Sequence, residues 1–247
     1  MAKEKDEKKA LIPQDEKTLQ EMLKPAPGTE EISSEDIILP RIRVLQDNSA
    51  EVKSKEAQSG KLKHSLTGEL NDTLEFIPIA MHKSRIMFNI DNREGAPLCR
   101  SNNFEIGSDG TKCTDCDNNK WQNNKPPVCN TIFNYWMIQP KEVGNVFVPS
   151  ILSLMKTSSQ AALKLNTSVQ CAFPKLPFWS KVWKVIPRIK RFPKGDAYIL
   201  DVQQIRETNK DERDWAALIY KNIVNKKVEY TADEIPTDDI IGDDLHA

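Results

Sequence analysis

Four of the five cysteines fall within 31 residues, as Cys99, Cys113, Cys116 and Cys129. Their spacing is C-x13-C-x2-C-x12-C. A C-x2-C pair lets two thiolates grip one ion from a tight turn, and the two outer cysteines can close a tetrahedral all-sulfur site. The residues between them are polar and loop-forming (SNN, GSDG, DNN, QNNKPP). Such a segment cannot build its own core, so a bound metal would supply the order. All-sulfur ligation favours one structural zinc ion, with an iron–sulfur cluster and free thiols as the other readings. Four cysteines leave no open position for water, which argues against a catalytic metal. Cys171, beside Ala172 and Phe173, reads as a small buried residue.

A second chemistry lies further along. From Asn118 to Gly195 there are 12 basic residues and one acid, Glu142. The densest part is KLPFWSKVWKVIPRIKRFPKG, residues 175–195. It carries Lys175, Lys181, Lys184, Arg188, Lys190, Arg191 and Lys194, interleaved with Phe178, Trp179, Trp183 and Phe192. Bases stack on aromatic faces and phosphates need cations within reach, so the combination suits a single-stranded nucleic acid. Alternation in Ser180–Ile186 puts Lys181, Trp183 and Val185 on one strand face, a plausible stacking platform. The competing reading makes the tryptophans core. Arg41, Arg43, Arg85, Lys120, Trp121, Tyr135 and Trp136 extend the candidate nucleic-acid surface. Trp121 could stack on a base or cover a small metal core.

These residues must be positioned by strands. Arg41–Leu45, Leu74–Ala80, Arg85–Ile90, Ile132–Ile138, Val146–Leu152, Val182–Ile186 and Tyr198–Val202 are rich in β-branched and aromatic residues. Short strands in series with few helices predict a mainly β fold, a small barrel or sandwich. Two helices interrupt it. One opens on Thr157 with Gln160, and one on Thr208 with Asp211. The second carries Trp215, Leu218, Ile219 and Ile223 as a single apolar stripe. The cysteine segment, about 95–131, falls between two strands and reads as a loop extruded from the barrel.

The net charge of −1 conceals an asymmetry. Residues 1–36 sum to −4, 37–228 to +10 and 229–247 to −7. The reading is an acidic, disordered arm (1–36), a basic nucleic-acid-binding body (37–228) and an acidic tail (229–247). The tail can compete with phosphates for the body. Its Asp238, Asp239, Ile240, Ile241, Asp243 and Asp244 offer partner proteins both charge and apolar grip. No run of 18 apolar residues and no signal-peptide stretch is present, so a cytoplasmic protein without a membrane partner is expected. No Gly-rich phosphate loop, H-E-x-x-H or G-x-S-x-G motif occurs, so no enzyme and no catalytic residues are predicted.

The order of these features resembles that of a bacteriophage single-stranded DNA-binding protein. The resemblance runs from about Pro40 to the end. It rests on PRIRVLQ, on HSLTGEL at 64–70, on the cysteine loop and on the tail DEIPTDDIIGDDL. It implies an OB-fold barrel with a basic, aromatic groove, and a zinc-stapled insert as in the T4-type members. It further implies single-stranded DNA as ligand, and replication or recombination proteins as partners of the tail. Two departures stand out: four cysteines replace that type's one histidine and three cysteines, and the chain ends without a terminal phenylalanine. A zinc-containing RNA-binding or transcription-associated factor, or a virion assembly protein, would use the same surface.

Overall fold

The structure is a computed structural model. It describes residues 27–33, 36, 38–89, 96–143, 148–193 and 195–225. The arm's first 26 residues, Lys194 and all six named tail residues lie outside the described residues.

Nine strands form one curled sheet. They are β1 (Arg41–Val44), β2 (Leu62–His64), β3 (Leu70–Asn71), β4 (Leu74–Met87), β5 (Cys99–Ser101), β6 (Asn130–Ile138), β7 (Ser150–Met155), β8 (Lys181–Phe192) and β9 (Gly195–Glu207). The strand order is β3-β2-β1-β7-β6-β4-β8-β9, with β5 added to the far end of β4. All pairings are antiparallel except β1 with β7. The sheet curls into an open, barrel-like shell, in line with the predicted mainly β class.

The central strand is β4. Its first residues, Leu74–Phe76, pair with β8, and Ile77–Ile86 pair with β6. The sequence reading split this strand at MHKS, because Lys83 and Ser84 interrupt the apolar pattern. The backbone instead runs through, with a register shift between Pro78 and Ala80. A bulge bends a strand and raises its twist, which lets one strand serve two directions of sheet.

Inside the shell lie Phe76, Phe133, Tyr135, Met137, Leu154, Trp183, Val185 and Val202. Helix α2 (Ser159–Gln170) closes one end with Ala161, Ala162 and Leu165. The outer face of β6 packs Trp136 and Ile138 against helix α3 (Lys210–Asn225), through Trp215, Ala216 and Ile219. The predicted stripe is thus the docking face of α3; the side chain of Ile223 lies outside the described residues. A short helix α1 (Ala50–Lys53) follows β1.

Both predicted helix starts shift. Thr157 belongs to a 3-10 turn, Lys156–Ser158, and α2 begins after it. At α3 the reciprocal cap is Asn209 with Glu212: each backbone N–H donates to the other's side chain at 2.8 Å. Thr208 instead donates to the Trp179 carbonyl. Glu212 also accepts both Arg206 N–H groups at 2.7 Å. That pairing, first of all, holds its carboxyl below the ordinary carboxylate range.

Strand β9 is an edge. At Tyr198 its backbone is met by a side chain, not a strand. The Gln46 amide donates to the Tyr198 carbonyl at 2.8 Å and accepts from the Tyr198 N–H at 2.9 Å. The chain turns close to the same residue: a Cβ on Gly60, whose φ is +82°, would meet the Tyr198 ring at 2.4 Å.

Candidate nucleic-acid interface and cysteine cavity

The insert leaves β4 after Met87 and returns into β6 at Asn130. Strand β5 brings Cys99 back beside Met87. An isolated bridge between Ile106 and Lys112 then makes a tight hairpin, and Cys113 follows with its N–H on the Glu105 carbonyl. Cys116 precedes a 3-10 turn over Asp117–Asn119. The Cys129 N–H donates to the Asn118 carbonyl, and the Asn119 side chain donates to the Cys113 carbonyl.

These bonds place all four cysteines on the wall of one cavity. Arg85, Met87, Gly107, Asp109 and Asn119 are among the other lining residues. None of the cysteines forms a disulfide. As they stand, no three ligating side chains among the described residues converge closely enough to grip an ion. The fit to zinc is therefore one of donor set and space. Four sulfurs share one cavity, and Gly107 leaves the room that a Cβ would take at 2.8 Å from the Cys99 sulfur. Burial pushes the Cys129 thiol up, while the Arg85 guanidinium beside it pulls the other way. Cys171 stands apart and is exposed, against the sequence reading, because it follows the end of α2 on the surface. His82 sits in β4 and its Nε2 contacts the Asn102 carbonyl, away from the cysteine wall.

The predicted nucleic-acid residues separate into groups. Tyr135, Trp136 and Trp183 are 0%, 4% and 2% exposed, so they are core and offer no face to a base. For Trp183 the cause is a register shift between Val182 and Trp183, which buries both neighbours. The platform face carrying Trp183 and Val185 is the inside of the shell. Tyr135 donates to Asn166 at 3.0 Å, and its burial raises the phenol pKa above the ordinary tyrosine value. Phe178 stacks on Tyr135, and Trp179 packs on Tyr220. Arg41 is buried and donates to Ser153 at 2.8 Å. Arg43 pairs with Glu51, which also takes Lys63 at 2.6 Å. Arg85 faces the cysteine cavity.

Among the predicted contact residues, exposed cations stand in the insert and on the β8–β9 hairpin. In the insert, Lys120 and Trp121 stand together, and Trp121 is 70% exposed, so it covers no metal core. In the outer half of the β8–β9 hairpin, Arg188, Lys190 and Arg191 are all exposed. Arg188 reaches Asp201 at 3.2 Å, Lys184 reaches Glu75 at 3.6 Å and Lys190 lies over Phe192. Lys181 is half-buried, and Lys175 donates to the Gln170 carbonyl. Two residues before Lys175 is Phe173, which is 98% exposed. Sequence reasoning passed over it in favour of the tryptophans. The signal was its setting, CAFPKLP, where two prolines keep it out of any strand interior.

Strand pairing sets the two cationic places at opposite ends of β4. The insert continues from its C-terminal end, and the β8–β9 turn extends past its N-terminal end. No described helix is long and apolar enough to cross a membrane. A family model described as Pam3 phage gp34-like protein matches residues 6–229. No curated protein and no solved structure matches the chain.

Proposed function

From the premise that this chain belongs to the Pam3 phage gp34-like protein family, we propose that it is a non-sequence-specific single-stranded DNA-binding protein of phage replication or recombination. The curled, barrel-like sheet supports this reading if it is taken as a variant of the OB-fold. That fold is a five-stranded, partly open Greek-key barrel whose strands 2–3 and loops 1–2 and 4–5 bind oligonucleotides. Here β4, β6, β7, β8 and β9 correspond in chain order, with α2 between the third and fourth. The cysteine insert then occupies loop 1–2, and the β8–β9 turn occupies loop 4–5.

One observation carries the proposal: each of those two loops bears exposed cations, and one of them also bears an exposed aromatic. Lys120 and Trp121 are on one, Arg188, Lys190 and Arg191 on the other. Phe173 with Lys175 adds a second exposed aromatic beside a base. Stacking on each aromatic would contribute about 1–3 kcal/mol. The insert is proposed to hold one zinc ion through Cys99, Cys113, Cys116 and Cys129. Bound there, zinc would supply the order that the insert's apolar content cannot. The acidic tail is proposed to compete with DNA and to recruit replication or recombination proteins through Asp238–Asp244.

Oligo-dT binding followed by fluorescence anisotropy tests this. Affinity should fall steeply between 50 and 200 mM salt, with a log–log slope of about −0.7 per phosphate contact. An affinity indifferent to salt overturns the reading. A matched RNA oligonucleotide bound more tightly than DNA would move the assignment to RNA.

A further inference from the structure

Arg85 sits where the insert joins the barrel. On β4 it pairs across with Ser101 of β5 on one side and Thr131 of β6 on the other. Its guanidinium lines the same cavity as the four cysteines and lies beside Cys129. Two of its nitrogens, Nε and Nη1, are buried and have no hydrogen-bond acceptor. Asp109, the carboxylate on the cavity wall, takes the Thr111 N–H at 2.9 Å and does not pair with Arg85. The Phe104 ring lies 4.0 Å from the guanidinium carbon. Phe104 holds φ at +66°, a conformation that costs a bulky residue about 1–3 kcal/mol. The backbone is thus strained in a way that lays an aromatic face over this cation.

A guanidinium does not shed its proton, and those of its donors that are shut off from water need acceptors. Leaving two buried nitrogens without acceptors is costly. Neutral thiols do not answer that charge. Four thiolates on one divalent ion do: they carry a net charge of −2 and present sulfur lone pairs. That anionic centre would itself be costly in a low-dielectric pocket without a cation nearby.

We propose that Arg85 is the internal counter-cation of the cysteine centre, donating through Nε and Nη1 to ligand sulfurs and offsetting their charge. It is a positioning residue for the metal and not a phosphate contact. The inference rests on the zinc reading above. It also makes metal loading a property of β4, the strand that both cationic loops flank.

The test uses the full chain with the substitutions Arg85→Gln and Arg85→Lys. Zinc affinity is measured by competition with a chromophoric chelator. Loss of a hydrogen-bonding partner to metal ligands typically lowers affinity about 10–100-fold. R85Q should show that loss, and R85K, which keeps the charge, should recover most of it. A second readout is the thiolate-to-cobalt charge-transfer band of cobalt-loaded protein. Both variants should shift it, since neither restores the forked donors, whereas a purely structural arginine would alter the amount bound and leave the band in place. Wild-type protein that binds no zinc overturns the zinc reading and this inference together. Wild-type protein that binds one equivalent, with R85Q matching its affinity and band, overturns the inference alone. Should R85Q not fold, the band of R85K decides: unshifted, it overturns the proposal.

Discussion

In the barrel, Phe76, Tyr135 and Trp183 are fully enclosed, along with the leucines, isoleucines and valines that surround them. In the insert, Leu98, Ile106, Trp121 and Val128 all stand in solvent, and Cys113 is the buried member of the apolar set. The two regions share a strand, yet one is held by apolar burial and the other by backbone hydrogen bonds around a sulfur-lined hollow. Burial organises a structure at about 25 cal/mol per Å² of apolar surface. The insert has almost none to bury. A segment of that kind keeps a fixed shape only if something else supplies the free energy, and a metal on four thiolates is the donor set at hand.

The largest expected effect separates the regions by removing the metal. If the insert holds zinc as proposed, a strong chelator should withdraw a binding free energy on the order of 10 kcal/mol from it. Limited proteolysis should then cut between residues 96 and 129 while the barrel resists. Equal susceptibility before and after chelation would erase the distinction. A middle-sized effect uses one tryptophan from each region. Trp183→Ala empties a core site and should cost about 3–5 kcal/mol in urea unfolding. Trp121→Ala should change stability by less than about 0.5 kcal/mol and weaken oligo-dT binding by about 1–3 kcal/mol. If both variants behaved alike in the two assays, the assignment of core and contact would fail.

The smallest effect refines the barrel side. His64 is buried with Nε2 on the Ser150 hydroxyl at 2.8 Å. Burial lowers its pKa below the ordinary histidine value; nearby Glu69 opposes that shift and Lys141 adds to it. The unfolded chain therefore binds the proton more readily than the folded one. Stability from this residue is present above pH of about 6.5 and is lost as pH falls through the lowered folded value. Thermal melts of wild type and His64→Gln from pH 7.5 down to 5 should converge on the acid side. A parallel offset would remove His64 as the cause.

Several elements were legible in the sequence for local reasons. The run IFNYWMI became β6, and the stripe through Trp215 and Ile219 became the docking face of α3. What escaped was set by non-local geometry. The register shift at Val182–Trp183 turned a supposed stacking face inward. Strand β4 ran through MHKS because β6 pairs with it residue for residue there, from Met81 with Tyr135 to Ser84 with Ile132. The burial of Arg41 and the placement of Arg85 followed from partners far away in sequence, Ser153 and the cysteine wall. Charge and residue type announce that cations exist. Only the pairing of strands tells which of them reach solvent.

The contact between Gln46 and Tyr198 has a consequence for how the shell can fail. An unpaired strand edge is a template for joining another chain. On β9 that edge is answered at Tyr198 by a carboxamide imitating a peptide group, with both of its hydrogen bonds made by one rotatable side chain. Two residues on, the Leu200 N–H donates to the Ser158 hydroxyl at 3.0 Å, so side chains and not a zipper of backbone pairs close this edge. Opening the shell there would break no ladder of strands, but it would expose Leu200 and Val202, which belong to the core. Once opened there, β9 would be a template for a strand of a second copy and a route to strand exchange.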